Sequence, residues 1–203
     1  MNYLLKLLPE TFRSSWCIAG GYAACPALAK DIDLWVYDRH DLAEARQTIL
    51  DHLKAQLDAV QRYYQRPFAF EPEEATEQHQ GDERYCNLFI NISKVAVIYG
   101  RSVNREVKPV HIMVTDAPGP GELISAFDVS THAVAIDHNN RVFKHGTYTH
   151  PGQAPALIRC NAKTQGRYEK ICDRFGLPQA ITDFTIDEPV RPVEDMVDDD
   201  IPF

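Results

Sequence analysis

The sequence predicts an α/β fold of the α+β kind, a sheet with flanking helices, followed by a disordered acidic C-terminal tail. Three observations predict it. Short apolar runs with strand-like alternation, such as "DIDLWVY" at 31–37, recur between turn signals. Two longer segments, 41–65 and 154–176, read as helices. The charge is unevenly placed: the net charge is −8, yet residues 183–203 alone hold eight acids and one arginine. The other 182 residues carry 21 acids against 20 bases and are nearly neutral. The expected division is a domain over 1–178 and a flexible acidic tail over 179–203.

"MNYLLKLLPETF" starts the chain with a short apolar run that Pro9 and Glu10 end, so it reads as a first helix and not a signal peptide. "SWCIAGG" (15–21) is a buried strand ending on two glycines, and "YAACPALA" is a short helical segment. The helix over 41–65 opens with Asp41 and Glu44 in capping-box spacing and lines up Leu42, Ile49, Leu53, Leu57 and Val60 on one face. A polar loop spans 71–84, and strands are expected at 85–92, 95–100 and 107–115. "APGPGELISAF" is a turn into a short helix, and 131–146 is a hairpin turning at Asn139-Asn140. The helix over 154–176 closes at Gly176.

No stretch has the roughly 18 uninterrupted apolar residues of a membrane span, so no membrane partner is expected. The five cysteines (Cys17, Cys25, Cys86, Cys160, Cys172) form no CxxC pair, which argues against a zinc site or a disulfide framework and for a reducing, cytoplasmic setting.

The chemistry concentrates in "GGYAACPALAKDIDLWV". Two glycines, Gly20 and Gly21, precede nine residues and then Asp31-Ile32-Asp33. On a strand, residues two apart share a face, roughly 6–7 Å from one another. Asp31 and Asp33 therefore project together, and two adjacent carboxylates are a natural seat for a divalent cation. Mg²⁺ (or Mn²⁺) takes one or two protein carboxylates together with triphosphate oxygens and water. The glycines would let backbone approach a phosphate without a Cβ in the way.

Gly-Gly followed by Asp-x-Asp on the next strand resembles the nucleotidyltransferase superfamily, the polymerase-β-like mixed-sheet fold. "KDID" (Lys30 to Asp33) is similar to the head domain of tRNA nucleotidyltransferases and poly(A) polymerases. That head carries a later motif, Asp-Phe-Thr-Ile-Asn-Ala-Leu, and "DVSTHAV" at Asp128 to Val134 resembles it. The resemblance covers about residues 12–137. It implies transfer of a nucleoside monophosphate from an NTP to a hydroxyl acceptor, a nucleic-acid end or another macromolecule. It implies Asp31 and Asp33 as metal and catalytic residues, and Gly20, Gly21, Lys30, Asp128 and His132 as nucleotide-binding ones; Arg167, beyond its reach, is a nucleotide-binding candidate from the basic stripe of the last helix. Three departures stand out. The family's Arg-Asp after the glycines is Ala24-Cys25 here, its third carboxylate aligns with His111, and its asparagine with His132. His111 is then the candidate base or weaker ligand, with Glu106 and Asp116 as acids that could substitute. Cations for phosphate or nucleic acid are available in Arg101, Arg105 and Lys108, and in a stripe of Arg159, Lys163, Arg167, Lys170 and Arg174 on the last helix.

The chain ends "DDDIPF", similar to the docking peptide that ends bacterial single-stranded-DNA-binding proteins. The resemblance implies that Phe203 enters an apolar pocket, that its carboxylate meets a basic side chain, and that Pro202 and Ile201 shape the peptide. Asp198, Asp199 and Asp200 would face a basic rim. The partners implied are bacterial replication and repair proteins, and such a tail would suit a bacteriophage or mobile-element protein in a bacterial cytoplasm. Two classes of function stay open: an Mg²⁺-dependent nucleotidyltransferase, or a catalytically degenerate adaptor or inhibitor that competes for the tail's pockets. A third reading is modification of a small molecule or a protein side chain.

Overall fold

The alternation in "DIDLWVY" places one strand at the centre of a mixed sheet, and the rest of the chain is arranged around it. In the computed structural model, residues 4–38, 41–64, 73–74, 88–92 and 108–185 are described. The strands are β1 (Trp16–Ala19), β2 (Ile32–Tyr37), β3 (Glu73–Glu74), β4 (Leu88–Ile92), β5 (Val110–Thr115), β6 (Val134–Asp137) and β7 (Val142–Lys144). The α-helices are α1 (Gly21–Ala24), α2 (Leu42–Tyr64), α3 (Pro120–Ser125) and α4 (Thr164–Phe175), with short 3-10 turns at Leu4–Leu7, Glu10–Phe12 and Ser130–His132. The sheet order is β3-β4-β5-β2-β1-β6-β7. Among the described residues only β2 and β5 run parallel; the other neighbours are antiparallel. This is the α/β class expected.

The two faces of β2 do different things. Ile32, Leu34 and Val36 are buried in the main core with Trp16, Ile18, Val110, Ile112 and Val114. That face is closed by Leu4, Leu7, Leu8 and Phe12 from the N-terminal turns and by Ala45, Ile49, Leu50 and Leu53 of α2. Asp41 starts α2 as expected: its Oδ1 accepts the N–H groups of Ala43 and Glu44, both at 2.9 Å. The other face carries Cys17, Ala19 and Ala135, on which α3 packs Leu123 and Ile124, with Trp35, Tyr37, Phe127 and Phe143 at the margin. Asp33 lies on this second face because it alternates with the core residues.

Beyond β6 the expected hairpin forms. Asp137 Oδ1 accepts the N–H groups of Asn139 (2.9 Å) and Arg141 (2.8 Å), and Asn140 takes the left-handed conformation at φ +62°. The last helix ends as expected, with Gly176 at φ +63° and Leu177 N–H reaching back to Cys172 O at 2.9 Å.

Several expectations need correction. The last helix starts at Thr164, not 154. Residues 156–158 instead supply backbone partners to the buried stretch 128–130: Ser130 N–H donates to Ala156 O (2.9 Å) and Ile158 N–H to Asp128 O (2.7 Å). A buried backbone must be satisfied, and that need overrides local helix propensity. The expected polar loop contains β3, two glutamates paired with Ile90 and Asn91. "YAACPALA" is helical only through Ala24. Ordered packing also continues past Pro178. Ala180 and Ile181 N–H groups both donate to Tyr168 Oη at 3.1 Å, and Phe184 meets the Tyr168 ring edge-on at 5.5 Å between centroids. The expected strand at 95–100, the residues Arg101, Arg105 and Glu106, and the terminal peptide Asp198–Phe203 lie outside the described residues.

Candidate functional site

The parallel β2–β5 pair places Asp33 directly beside His111 in register. Side chains at paired positions point to the same face, so a residue 78 positions later in sequence joins the Asp31/Asp33 pair. His111 Nδ1 lies 3.4 Å from Asp33 Oδ1 and 3.8 Å from Asp31 Oδ2. The three side chains are partly open to solvent, at 21% for His111, 43% for Asp31 and 30% for Asp33. The hydrogen bond to Asp33 raises the His111 pKa; burial opposes this, and the charges of Asp33 and Asp31 add to the rise. The structure thus brings the side chains of Asp31, Asp33 and His111 together.

Gly20 adjoins this group, and Gly21 follows it in the turn after β1. Gly20 has φ +78°, and a Cβ there would stand 3.2 Å from Asp33 Oδ2 and 3.8 Å from the Phe127 ring. The Gly20 N–H is not left for a ligand: it donates to Val134 O at 3.1 Å. That corrects the idea that both glycine amides face a phosphate. A Cβ on Gly21 would stand 3.5 Å from an Arg174 guanidinium nitrogen and 3.7 Å from His132 Nε2. His132 is held neutral, its pKa pushed down to about 4 by burial and then by the Arg174 charge, with Asp128 and Asp31 pulling the other way.

The remaining predicted nucleotide-binding residues divide. Asp128 is buried, and its Oδ2 is taken up by Arg167 at 2.7 Å and Thr164 Oγ1 at 3.1 Å. This pair clamps α4 onto the 128–132 segment, so Asp128 and Arg167 occupy each other. Lys30 is exposed in the loop before β2. The basic stripe does not form one surface: Arg159 precedes α4 and donates to Ser125 O at 2.9 Å, while Arg167 and Arg174 face different partners. Lys108 anchors to Ala29 O at the entry to β5. Asp116 cannot replace the third acid. It follows β5 at the end opposite His111, roughly 16 Å along the strand at about 3.3 Å per residue. There it lines a separate groove of about 690 Å³ with Glu122, Phe143 and His145.

Sequence reasoning did not single out Arg174 from the stripe, nor Phe127, whose ring lies 3.8 Å from where a Gly20 Cβ would stand. The spacing Arg167–Arg174, two helical turns, puts both on one side of α4, and that signal was available. What the spacing lacks is which of the two meets a carboxylate.

A divalent cation is implied by the paired carboxylates, and the donor chemistry fits it. Both carboxylates lie along the same edge of the His111 ring, with oxygens 3.8 and 3.4 Å from its Nδ1, and both keep access to solvent, where further oxygens could join a cation. Among the described residues no group of three or more His, Cys, Asp or Glu is arranged to hold a metal ion. Protein ligation would thus come from the carboxylate pair alone.

No protein-family model matches the chain, and no curated protein does. Among solved structures, the chain is similar to a CCA-adding enzyme in complex with CTP, at 11% identity and a TM-score of 0.33. That similarity covers 68% of this chain and 30% of the other, so the chain spans less than a third of that structure's length.

Proposed function

We propose that the chain is a divalent-cation-dependent nucleotidyltransferase that moves a nucleoside monophosphate from an NTP to a hydroxyl acceptor, a nucleic-acid end or another macromolecule. The observation that carries this reading is the placement of Asp31 and Asp33 along one edge of the His111 ring, beside a glycine whose Cβ would crowd Asp33. Bound Mg²⁺ would neutralise phosphate charge and polarise the α-phosphorus. Asp31 and Asp33 would hold it, and the absence of a Cβ at Gly20 and Gly21 leaves room beside them for the triphosphate. The Nδ1–H of His111 faces Asp33, which makes Nε2 the basic ring nitrogen. His111 is then the group that takes the proton of the acceptor hydroxyl. The acceptor oxygen bonds to the α-phosphorus as the bond to the β-phosphate oxygen breaks, and pyrophosphate leaves with that electron pair.

The test is label transfer. The full chain is incubated with labelled NTPs, Mg²⁺ or Mn²⁺, and pools of tRNA, single-stranded DNA or bacterial lysate. Transfer that disappears in Asp31→Ala/Asp33→Ala supports the reading; no transfer to any pool overturns it.

The second reading is an adaptor or inhibitor without catalysis. It is favoured by His111 itself, an imidazole paired with Asp33 where the resembled family has a third carboxylate. In either case the acidic segment Asp198–Phe203 is proposed to dock into bacterial proteins that bind the single-stranded-DNA-binding protein terminus. A synthetic peptide of this segment should bind such a receptor and lose binding without Phe203. A biological effect that survives loss of both aspartates but not loss of Phe203 identifies the adaptor.

A further inference from the structure

We propose that Arg174 is the side chain that binds the terminal phosphates of the nucleotide; the inference rests on the nucleotidyltransferase reading and assigns this contact to Arg174 instead of Arg167. Three observations carry it. First, position: the guanidinium stands 3.5 Å from where a Gly21 Cβ would be, while Asp33 Oδ2 stands 3.2 Å from where a Gly20 Cβ would be. Adjacent residues of one turn thus face the acidic pair on one side and a cation on the other. A polyanion with a divalent cation at one end fits that polarity, with Mg²⁺ toward Asp31 and Asp33 and the β- and γ-phosphates toward Arg174.

Second, its charge is uncompensated. Among the described residues, the ion pairs of α4 comprise Arg167 with Asp128, and no carboxylate lies within 4 Å of Arg174. Arg174 is nevertheless half-buried, and a cation removed from water without a counter-charge is costly unless an anion is brought to it. Arg167 is already spent in holding the helix. Third, the surroundings are shaped for a guanidinium. Gly21 offers no side chain, and neutral His132 lies on the same side of the turn, so neither competes for an incoming phosphate. The Arg167–Asp128 clamp and the Thr164 bond fix α4, and so fix the direction from which Arg174 arrives.

The experiment measures binding of each of the four NTPs, their NMPs and inorganic tripolyphosphate, with Mg²⁺, by equilibrium dialysis. Wild type is compared with Arg174→Gln, Arg174→Lys and Arg167→Gln. Wild type is expected to bind at least one NTP tenfold or more tighter than its NMP. In Arg174→Gln that preference falls to within about threefold of unity, NMP affinity changes little, and tripolyphosphate binding is lost. Arg174→Lys, which keeps the charge but not the fork, is expected to retain part of the preference. Circular dichroism checks the fold; if Arg174→Gln does not fold, a reduced preference in Arg174→Lys supports the proposal and an unchanged one overturns it. A preference unchanged in a folded Arg174→Gln overturns the assignment and leaves the nucleotidyltransferase reading standing. A wild-type chain that binds no triphosphate overturns both.

Discussion

Gly20 carries two constraints at once. Its φ of +78° is a conformation that side chains rarely adopt, and its Cβ position is 3.2 Å from a carboxylate oxygen of Asp33. Gly20→Ala is therefore expected to cost about 1–2 kcal/mol in urea unfolding from backbone strain alone. It should also displace Asp33 and weaken Mg²⁺-dependent nucleotide binding, whereas Gly166→Ala, with open space around its Cβ, should spare that binding. His132 makes a second prediction. Its pKa is lowered to about 4 in the fold against an ordinary value of 6.5. The unfolded chain takes up the proton first, so the stabilising effect of neutral His132 is fully present above pH 6.5 and is lost as pH falls toward 4. The loss is on the order of 1–3 kcal/mol. Thermal melts between pH 7 and 4 should show it, and His132→Asn should flatten that part of the profile. Cys17 behaves differently: burial pushes its thiol up to about 12, which removes it from nucleophilic chemistry.

At the scale of elements, α4 is held by chemistry its sequence does not advertise. Asp128, with its side chain 7% exposed, accepts from both Arg167 and Thr164, and Arg167 is 43% exposed. Removing Arg167 leaves a buried carboxylate short of its cation, so Arg167→Ala should lower stability by about 1–3 kcal/mol in chemical denaturation, discounted for the partner's exposure. Asp128→Asn should cost less, because the amide oxygen still accepts from Thr164. The sequence revealed the elements whose signals are local. The apolar alternation of β2, the Asp41 cap of α2, the hairpin at Asn139-Asn140 and the Gly176 stop all depend on neighbours in the chain. It paired Asp31 with Asp33 through strand periodicity, although Asp31 lies just before β2, whereas His111 was suggested only by the third carboxylate of the resembled family. It misplaced the start of α4 because the backbone partners of 156–158 are the distant residues 128–130. It chose Arg167 and not Arg174 as the nucleotide contact, because nothing local in the chain shows that Asp128 lies beside Arg167.

At the scale of the whole molecule, the sheet divides labour between its faces. One face is an apolar core closed by α2 and the N-terminal turns, and the other leaves the Asp33–His111 end open. Leu34 is fully buried in the first. Leu34→Ala is expected to cost about 3–4 kcal/mol, whereas the exposed Val142→Ala should change stability by no more than about 0.5 kcal/mol, both read from urea midpoints. Because Leu34 faces away from Asp33, a partly destabilised Leu34→Val chain should keep its nucleotide affinity wherever it remains folded.

The sheet is also filled out of chain order. β5 is synthesised after β4 yet lies between β4 and β2, pairing parallel with β2. A nascent chain that has emerged only through β4 therefore has a gap where β5 belongs, beside the central strand β2. Both flanking strands would present unpaired edges, and the acidic pair would be without its imidazole. Such a ribosome-bound intermediate should be prone to aggregate and inert toward nucleotide, and both properties should change together once Thr115 has cleared the exit tunnel.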